Sequence, residues 1–387
     1  MNSSLKPANR FRKMNDLRRL YPVVFSLDVH TLSTYVIGQN IETGESLYDG
    51  NVPGNFRHAL EIIDRLGFVS AQTLILYEAG NQGFVPYHIA TSKGYSSMVI
   101  APSSLPGRRV RRKTDRDDAI ENLSSFLSGR LRFVTVPDKL REQARDLLRF
   151  RNDQVGRCTQ LKHQALGLVR RQGLVYTETK THWTKAHRKW FETVAMDPLT
   201  RILLDTILQN LSVAEKQVDT LDSALLKIIV ENAEYAELFQ LFRKIPGIGP
   251  NYAMILILEG PPMNCFLHPN GVMNYSGLVC AKNASGQTDP TLGITKAGNP
   301  HLRRAYVGIA KAYANSKTAY SPEELAKFPE PLRTFLEKLQ GRLYKKHVNL
   351  KLHYKHINKV RCAVARELCG FVWELVVKVQ PLLKQAA

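Results

Sequence analysis

The sequence predicts an α/β domain with a mixed sheet at its N-terminal end, then a helical and coiled-coil segment, then a mostly α-helical C-terminal region. Three observations carry this. Two short apolar runs, Val23–Leu27 and Thr73–Tyr77, each end in a carboxylate and alternate with helical and hairpin patterns. A heptad of apolar residues runs unbroken from Leu204 to Ile228. Beyond residue 241 the chain turns to Gly-rich connections and further helical periodicity.

Taken in order, residues 1–20 are a basic leader with six Lys/Arg and one acid. Val23-Val24-Phe25-Ser26-Leu27-Asp28 reads as a buried strand, and Thr34-Tyr35-Val36-Ile37-Gly38 with the following Glu-Thr-Gly-Glu turn reads as a hairpin. Phe56, Ala59, Leu60, Ile63 and Leu66 fall at helical spacing. Thr73-Leu74-Ile75-Leu76-Tyr77-Glu78 is a second strand, and Ser97-Met98-Val99-Ile100-Ala101 a third, stopped by Pro102. Residues 102–113 form a Pro/Gly/Ser linker that ends in five basic residues, among them Arg111, Arg112 and Lys113. A helix is expected from Thr114, whose hydroxyl can cap it while Asp115 and Asp117 favour its positive end.

From about residue 138 to 240 the chain reads helical, and residues 157–189 carry eight Lys/Arg and one Glu. The positions Leu204, Ile207, Leu211, Ala214, Val218, Leu221, Leu225 and Ile228 make a coiled-coil seam, read here as a surface for self-association. A helix packed on its own domain's core is the alternative. The tail between Arg342 and Arg361 has seven Lys/Arg, three His and no acid.

Composition narrows the function. Of 387 residues 44% are hydrophobic, enough for sizeable cores, which excludes wholesale disorder. The 54 Lys+Arg against 34 Asp+Glu give a net charge of +20 and point to a polyanion. No apolar run approaches the roughly 18 residues of a spanning helix, so the expected polyanion is nucleic acid and not a membrane. The basic leader has no apolar h-region and is not expected to be a signal peptide. Cys158, Cys265, Cys280, Cys362 and Cys369 are scattered, with no Cys-x-x-Cys, as suits a reducing cytoplasm.

Asp28 and Glu78 each close an apolar strand, and Asp115 and Asp118 sit three apart on one helix face. Carboxylates gathered at one sheet edge repel each other and coexist when divalent cations hold them, and Mg²⁺ prefers such ligands. Two metals about 4 Å apart can clamp a phosphate. The bland reading is helix caps and a surface turn. Leu241 to Pro250, with Ile245-Pro246-Gly247-Ile248-Gly249 at its centre, resembles a helix-hairpin-helix turn, in which Gly247 and Gly249 leave backbone N–H groups facing a phosphate. A plain interhelical turn is the alternative. The stretch from Asn283 to Arg304 is small, flexible and basic. It offers Ser285 beside Gly286 as an accessible hydroxyl, with Lys296, Arg303 and Arg304 for phosphate.

These pieces together resemble the DEDD-type insertion-sequence transposases, the bridge-RNA-guided serine recombinases. The matching residues are Ser26-Leu27-Asp28-Val29-His30, Tyr77-Glu78-Ala79-Gly80, Lys113-Thr114-Asp115-Arg116-Asp117-Asp118-Ala119, Ile245 to Gly249, Ala284-Ser285-Gly286 and Gly293 to Asn299. Asn358 to Arg361 and Ala363 to Arg366 resemble the family's C-terminal helix. Val29-His30 departs from the family's small polar residue and lysine, and Ala284-Ser285 from its paired serines. Ser276, in the family's apolar core segment, reads as packing.

The resemblance implies an RNase H-like (RuvC-like) nuclease domain over 22–137, in which Asp28, Glu78, Asp115 and Asp118 surround Mg²⁺. It also implies a transposase domain over 241–387 with Ser285 as nucleophile, beside the basic leader at 1–21 and the helical and coiled-coil segment over 138–240 read from the residues themselves. The implied partners are target and donor DNA, a bridge RNA, and further copies of the chain as dimers that assemble to a tetramer, in a bacterial cytoplasm at the nucleoid. Two other readings stand beside it: a hydrolytic structure-selective nuclease similar to Holliday-junction resolvases, and a nucleic-acid-binding protein with a decayed catalytic site.

Overall fold

The structure is a computed structural model that describes residues 16–105, 114–282, 291–314, 319–353 and 355–385. The chain divides into two compact units, Met1–Pro137 with Pro261–Gly298, and Asp138–Gly260 with Asn299–Ala387.

The first unit is built on a five-stranded sheet of order β3-β2-β1-β4-β5, with β1 at Val23–Val29, β2 at Ser33–Asn40, β3 at Ser46–Pro53, β4 at Thr73–Glu78 and β5 at Ser96–Ile100. β1, β2 and β3 pair antiparallel, while β1–β4 and β4–β5 pair parallel. The sheet is therefore mixed, as the alternation of patterns predicts. Helix α1 (Phe56–Arg65) precedes β4, and α2 (Val85–Ser92) links β4 to β5. Helix α3 (Asp115–Leu127) follows.

Strand side chains alternate between two faces, and the cores show it. Phe25, Leu27, Ile75, Tyr77 and Val99 pack on Phe56, Ala59, Leu60 and Ile63 of α1 and Ala90 of α2. Val24, Leu74 and Leu76 point the other way, onto Ala119, Leu123 and Phe126 of α3. Burial of each such large side chain is worth about 1.5–3 kcal/mol. Thr114 caps α3 as expected: its hydroxyl accepts from the Asp117 N–H in a reciprocal capping box.

The second unit is helical. Helices α4 (Lys139–Arg171) and α6 (Pro198–Glu231) have 33 and 34 residues, so each is about 50 Å long. They lie antiparallel: Leu168 packs with Leu204 and Leu161 with Leu211, and Arg151 reaches Asp222. Part of the heptad seam is thus covered within the chain, as the alternative of a helix packed on its own domain's core expects. Leu204, Leu211, Ala214 and Leu225 are buried, and Leu204, Leu211 and Ala214 pack on the α4 side chains of the same chain. A heptad specifies an apolar stripe and leaves open which helix covers it.

The short α5 (Lys185–Thr193) closes the tip of this hairpin. Further on, α7 (Ala233–Phe242), the buried α8 (Pro250–Glu259), α10 (Pro300–Ile309), α12 (Glu330–Leu352) and α13 (Ile357–Glu374) form the rest of the unit; α9 (Pro269–Tyr275), and the two-stranded sheet of β6 (Cys280–Lys282) and β7 (Thr291–Ile294), belong to the first. The lesser α11 is Pro322–Ala326. Among the described residues no helix is long and apolar enough to cross a membrane. Among the described residues no disulfide joins the cysteines.

Candidate functional site

The parity of the strands decides where the acids go. Asp28 lies two residues beyond Ser26 and four beyond Val24, so it faces α3. Glu78 shares the parity of Leu74 and Leu76 and faces the same way. The last paired residues of β1 and β4 are Leu27 and Tyr77, so Asp28 and Glu78 are the next residue on neighbouring parallel strands. Asp115 and Asp118 are in the first turn of α3. Two bonds hold that turn over the sheet. The buried Ser26 hydroxyl donates to the Ala119 carbonyl at 2.8 Å, and Arg116 pairs with Asp49 of β3 at 2.6 Å.

The result is a cluster in which Asp28, His30 and Asp115 each offer a ligand atom, all within 4.8 Å of one another. His30 Nε2 lies 3.2 Å from Asp28 Oδ2 and 3.7 Å from Asp115 Oδ1. Burial pushes the Asp28 carboxyl above the ordinary carboxylate range. The charges of Asp118 and Asp115 push the same way, and the contact with His30 pulls it down. A half-buried carboxylate crowded by two others and an imidazole is a donor set that a divalent cation would relieve. In the sequence His30 stands out only as a departure from the family pattern. The Asp-x-His spacing on an extended strand was the signal that both side chains share a face.

The glycine turn joins α7 to α8. Gly247 has φ +86°, and a Cβ there would lie 2.6 Å from Ala312 Cβ and 3.1 Å from the Ile309 carbonyl, so only glycine fits. The Tyr313 and Tyr320 hydroxyls donate to the Pro246 and Lys244 carbonyls and fix the turn. Gly249 is the N-cap of α8, with no side chain to cap it and open space around its Cα. Lys296 is exposed in the left-handed region, at φ +55°, and its N–H donates to the Gly277 carbonyl. Arg303 is half-buried and Arg304 exposed on α10. Ser276 is fully buried, in keeping with packing. Ser285, Arg111, Arg112 and Lys113 lie outside the described residues.

Sequence reasoning missed a polar anchor within the second unit. Arg141, Arg145 and Arg149 recur every four residues on α4, so they share a face. Arg141 donates to the Gly260 carbonyl, Arg145 to the Leu258 and Glu259 carbonyls, and Arg149 forks onto the Glu259 carboxylate at 2.7 and 2.9 Å. They satisfy the end of α8, where helix carbonyls lack partners. Asn299 donates to Glu259 at 2.8 Å and caps α10 by accepting from the His301 and Leu302 N–H groups. Burial alone would raise the Glu259 carboxyl, but the bonds from Arg149 and Asn299 outweigh it and hold it below the usual range.

Two family profiles match the chain. One, a transposase profile of the DEDD type of IS110, matches residues 26–172, and the other, the transposase IS116/IS110/IS902 family, matches residues 239–325. Together they span more than half of the sequence. The chain belongs to the IS110 family of transposases.

The first match contains Asp28, Glu78, Asp115 and Asp118. The second contains Gly247, Gly249, Ser285, Lys296, Arg303 and Arg304. The transposase is 29% identical to y4qE of Sinorhizobium fredii, provisionally named a transposase, over 356 residues that cover 90% of this chain and 87% of that one. It is 22% identical over 219 residues to the transposase for insertion sequence element IS1111A of Coxiella burnetii, covering 56% and 59% of the two chains. The transposase is thus an enzyme of DNA recombination.

Proposed function

We propose that this transposase cuts and rejoins DNA through a phosphoserine intermediate, with a bridge RNA choosing target and donor by base pairing. The observation that carries the metal part is the meeting of Asp28, Asp115 and His30 at the edge of a sheet whose 3-2-1-4-5 order suits a RuvC-like domain. Asp28, Glu78, Asp115 and Asp118 are the proposed Mg²⁺ ligands. Bound Mg²⁺ supplies neutralisation of the phosphate and favours an alkoxide.

Ser285 is the proposed nucleophile. Its oxygen bonds to phosphorus, its proton passes to solvent, and the displaced sugar oxygen leaves as a hydroxyl after taking up a proton. Attack by a hydroxyl of a second strand reverses these bonds, so the phosphodiester energy is kept and no ATP is needed. An unaided serine hydroxyl is a poor nucleophile, which is why one chain would carry both a serine and an acidic cluster. Gly247, Gly249, Lys296, Arg303, Arg304 and the run Arg111-Arg112-Lys113 are proposed backbone contacts, which position DNA without reading it. The basic stretches 157–189 and 342–361 suit an RNA recognised by shape and backbone. Assembly into dimers and a tetramer is part of the same proposal.

The test is a denaturing gel of labelled target DNA, Mg²⁺ and co-purified RNA. A protease-sensitive shifted band present with wild type and absent with Ser285→Ala supports the proposal. Equal nicking by both proteins with no shifted band would establish the hydrolytic nuclease instead.

A further inference from the structure

His30 has no part in the proposed chemistry, yet it stands among the acids. Its Nε2 lies 3.2 Å from Asp28 Oδ2 and 3.7 Å from Asp115 Oδ1. Among the described residues, Asp28, His30 and Asp115 are the only three His, Cys, Asp or Glu side chains gathered closely enough to share an ion. The group is open to solvent. The side chains of Asp28, His30 and Asp115 are 17%, 51% and 50% exposed. An ion can reach all three donors from solution and keep part of its water.

The backbone holds His30 in this place. Strand β1 ends at Val29 and β2 begins at Ser33, so residues 30–32 make a tight connection. The His30 N–H donates to the Ser33 carbonyl at 2.9 Å, and the Gly54 N–H donates to the Leu32 carbonyl at 2.8 Å. The Gln82 amide donates to the Thr31 hydroxyl at 3.1 Å. These three ties fix the connection, as a preorganised ligand set needs. The other ring nitrogen, Nδ1, has no hydrogen-bond partner among the described residues. It can carry the ring's proton towards solvent while Nε2 offers a lone pair.

We propose that His30 is itself a ligand of the metal centre, through Nε2 beside Asp28 and Asp115, and turns its preference from Mg²⁺ towards Mn²⁺ and the later transition ions. Neighbouring donors on one ion, each bonded at about 2.0–2.2 Å, lie about 3–4 Å apart. Both His30 spacings fall in that range. Mg²⁺ takes oxygen ligands and holds its waters, whereas imidazole suits the transition ions. The rival role for His30 is a counter-ion, an imidazolium that neutralises the two carboxylates. The two roles act with opposite sign. A counter-ion beside the acids repels every metal, and a ligand draws one in. The inference rests on the reading of this sheet edge as a metal centre, and its test needs no catalysis.

The full-length protein, stripped of metal and desalted, is titrated with Mn²⁺ alone and then with Mg²⁺ as competitor. Pulsed electron paramagnetic resonance should show the bound Mn²⁺ coupled to a nitrogen nucleus, and the coupling should change with ¹⁵N-labelled histidine. This arm needs no variant. In His30→Gln, which leaves an oxygen donor in its place, the nitrogen coupling should vanish. The preference for Mn²⁺ over Mg²⁺ should fall about ten-fold there, since losing even a supporting side chain costs about 10–100-fold in metal affinity. His30 is exposed, so the variant should keep its fold by circular dichroism. Asp28→Asn should lose the ion and the coupling together, which ties both to this cluster. No nitrogen coupling in wild type, a coupling that survives His30→Gln, or an unchanged preference in that variant overturns the proposal and leaves the metal centre intact. So does tighter binding of both ions by His30→Gln, the mark of a counter-ion. Failure of the wild-type protein to take up Mn²⁺ overturns both.

Discussion

Replacing Arg149 by Met should unlock the second unit, because it strands a charge. The Glu259 side chain is 0% exposed and Arg149 is 44% exposed. In Arg149→Met the carboxylate keeps the Asn299 hydrogen bond and the nearby His301, while the retained stem still covers its apolar neighbours. Removing one partner of a buried pair costs about 3–5 kcal/mol, and the exposure of Arg149 places this pair at the low end, about 3 kcal/mol. At about 2–4 °C per kcal/mol for a unit of this size, Tm should fall by about 6–12 °C.

The pH dependence has a definite sign. Arg149 and Asn299 hold the Glu259 pKa below its unfolded value of about 4.3, so their stabilisation is present above that pH and is lost as pH falls through the folded pKa. Without Arg149, burial is opposed by Asn299 and the nearby His301 alone among the causes that lower it, and the pKa rises. The variant then takes up a proton sooner, and its deficit against wild type should shrink between about pH 7 and pH 5. Differential scanning calorimetry at the two pH values measures this. A loss below about 1 kcal/mol, the range of a surface pair, or a deficit independent of pH, would refute the reasoning.

Other outcomes follow from the same packing. Ser26→Ala removes the tie between β1 and α3 and should cost about 1 kcal/mol in urea unfolding, with weaker divalent-metal binding at the acidic cluster. Leu211→Ala should cost about 3–5 kcal/mol and leave the sedimentation coefficient of the assembly unchanged, since Leu211 is spent on α4 of its own chain. Gly298→Ala, at φ +98° with a Cβ 2.2 Å from the Tyr275 carbonyl, should lose clearly more in thermal unfolding than Gly44→Ala. Gly44 has φ +79° and nothing within 4 Å, so only the local cost of about 1–2 kcal/mol remains there.

Much of the first unit was legible because its signals are local. Val23–Leu27 and Thr73–Tyr77 are continuous apolar runs of strand length, Thr114 followed by Asp117 spells a helix start, and strand-end acids mark a sheet edge. Asp28 and Asp115 could be paired on paper for that reason. His30 stands in the same motif as a departure from the family pattern, and its parity with Asp28 shows only once the strand is placed. The hairpin was harder. The Leu204–Ile228 stripe announces a partner helix and carries no mark of whether that helix is α4 or another protomer. Arg141, Arg145 and Arg149 read as positive charge in a basic protein. That they close α8, more than a hundred residues away, is a tertiary fact with no local trace.

Binding of Mn²⁺, a spectroscopic stand-in for Mg²⁺ at carboxylate sites, is the most direct measure of the central claim that the β1–β4–α3 edge is a metal centre. Electron paramagnetic resonance titration of the full-length protein should show tight Mn²⁺ uptake that falls at least ten-fold in both Asp28→Asn and Asp115→Asn, with the fold retained by circular dichroism. Uptake unchanged in both variants would contradict the claim and place catalysis elsewhere in the chain.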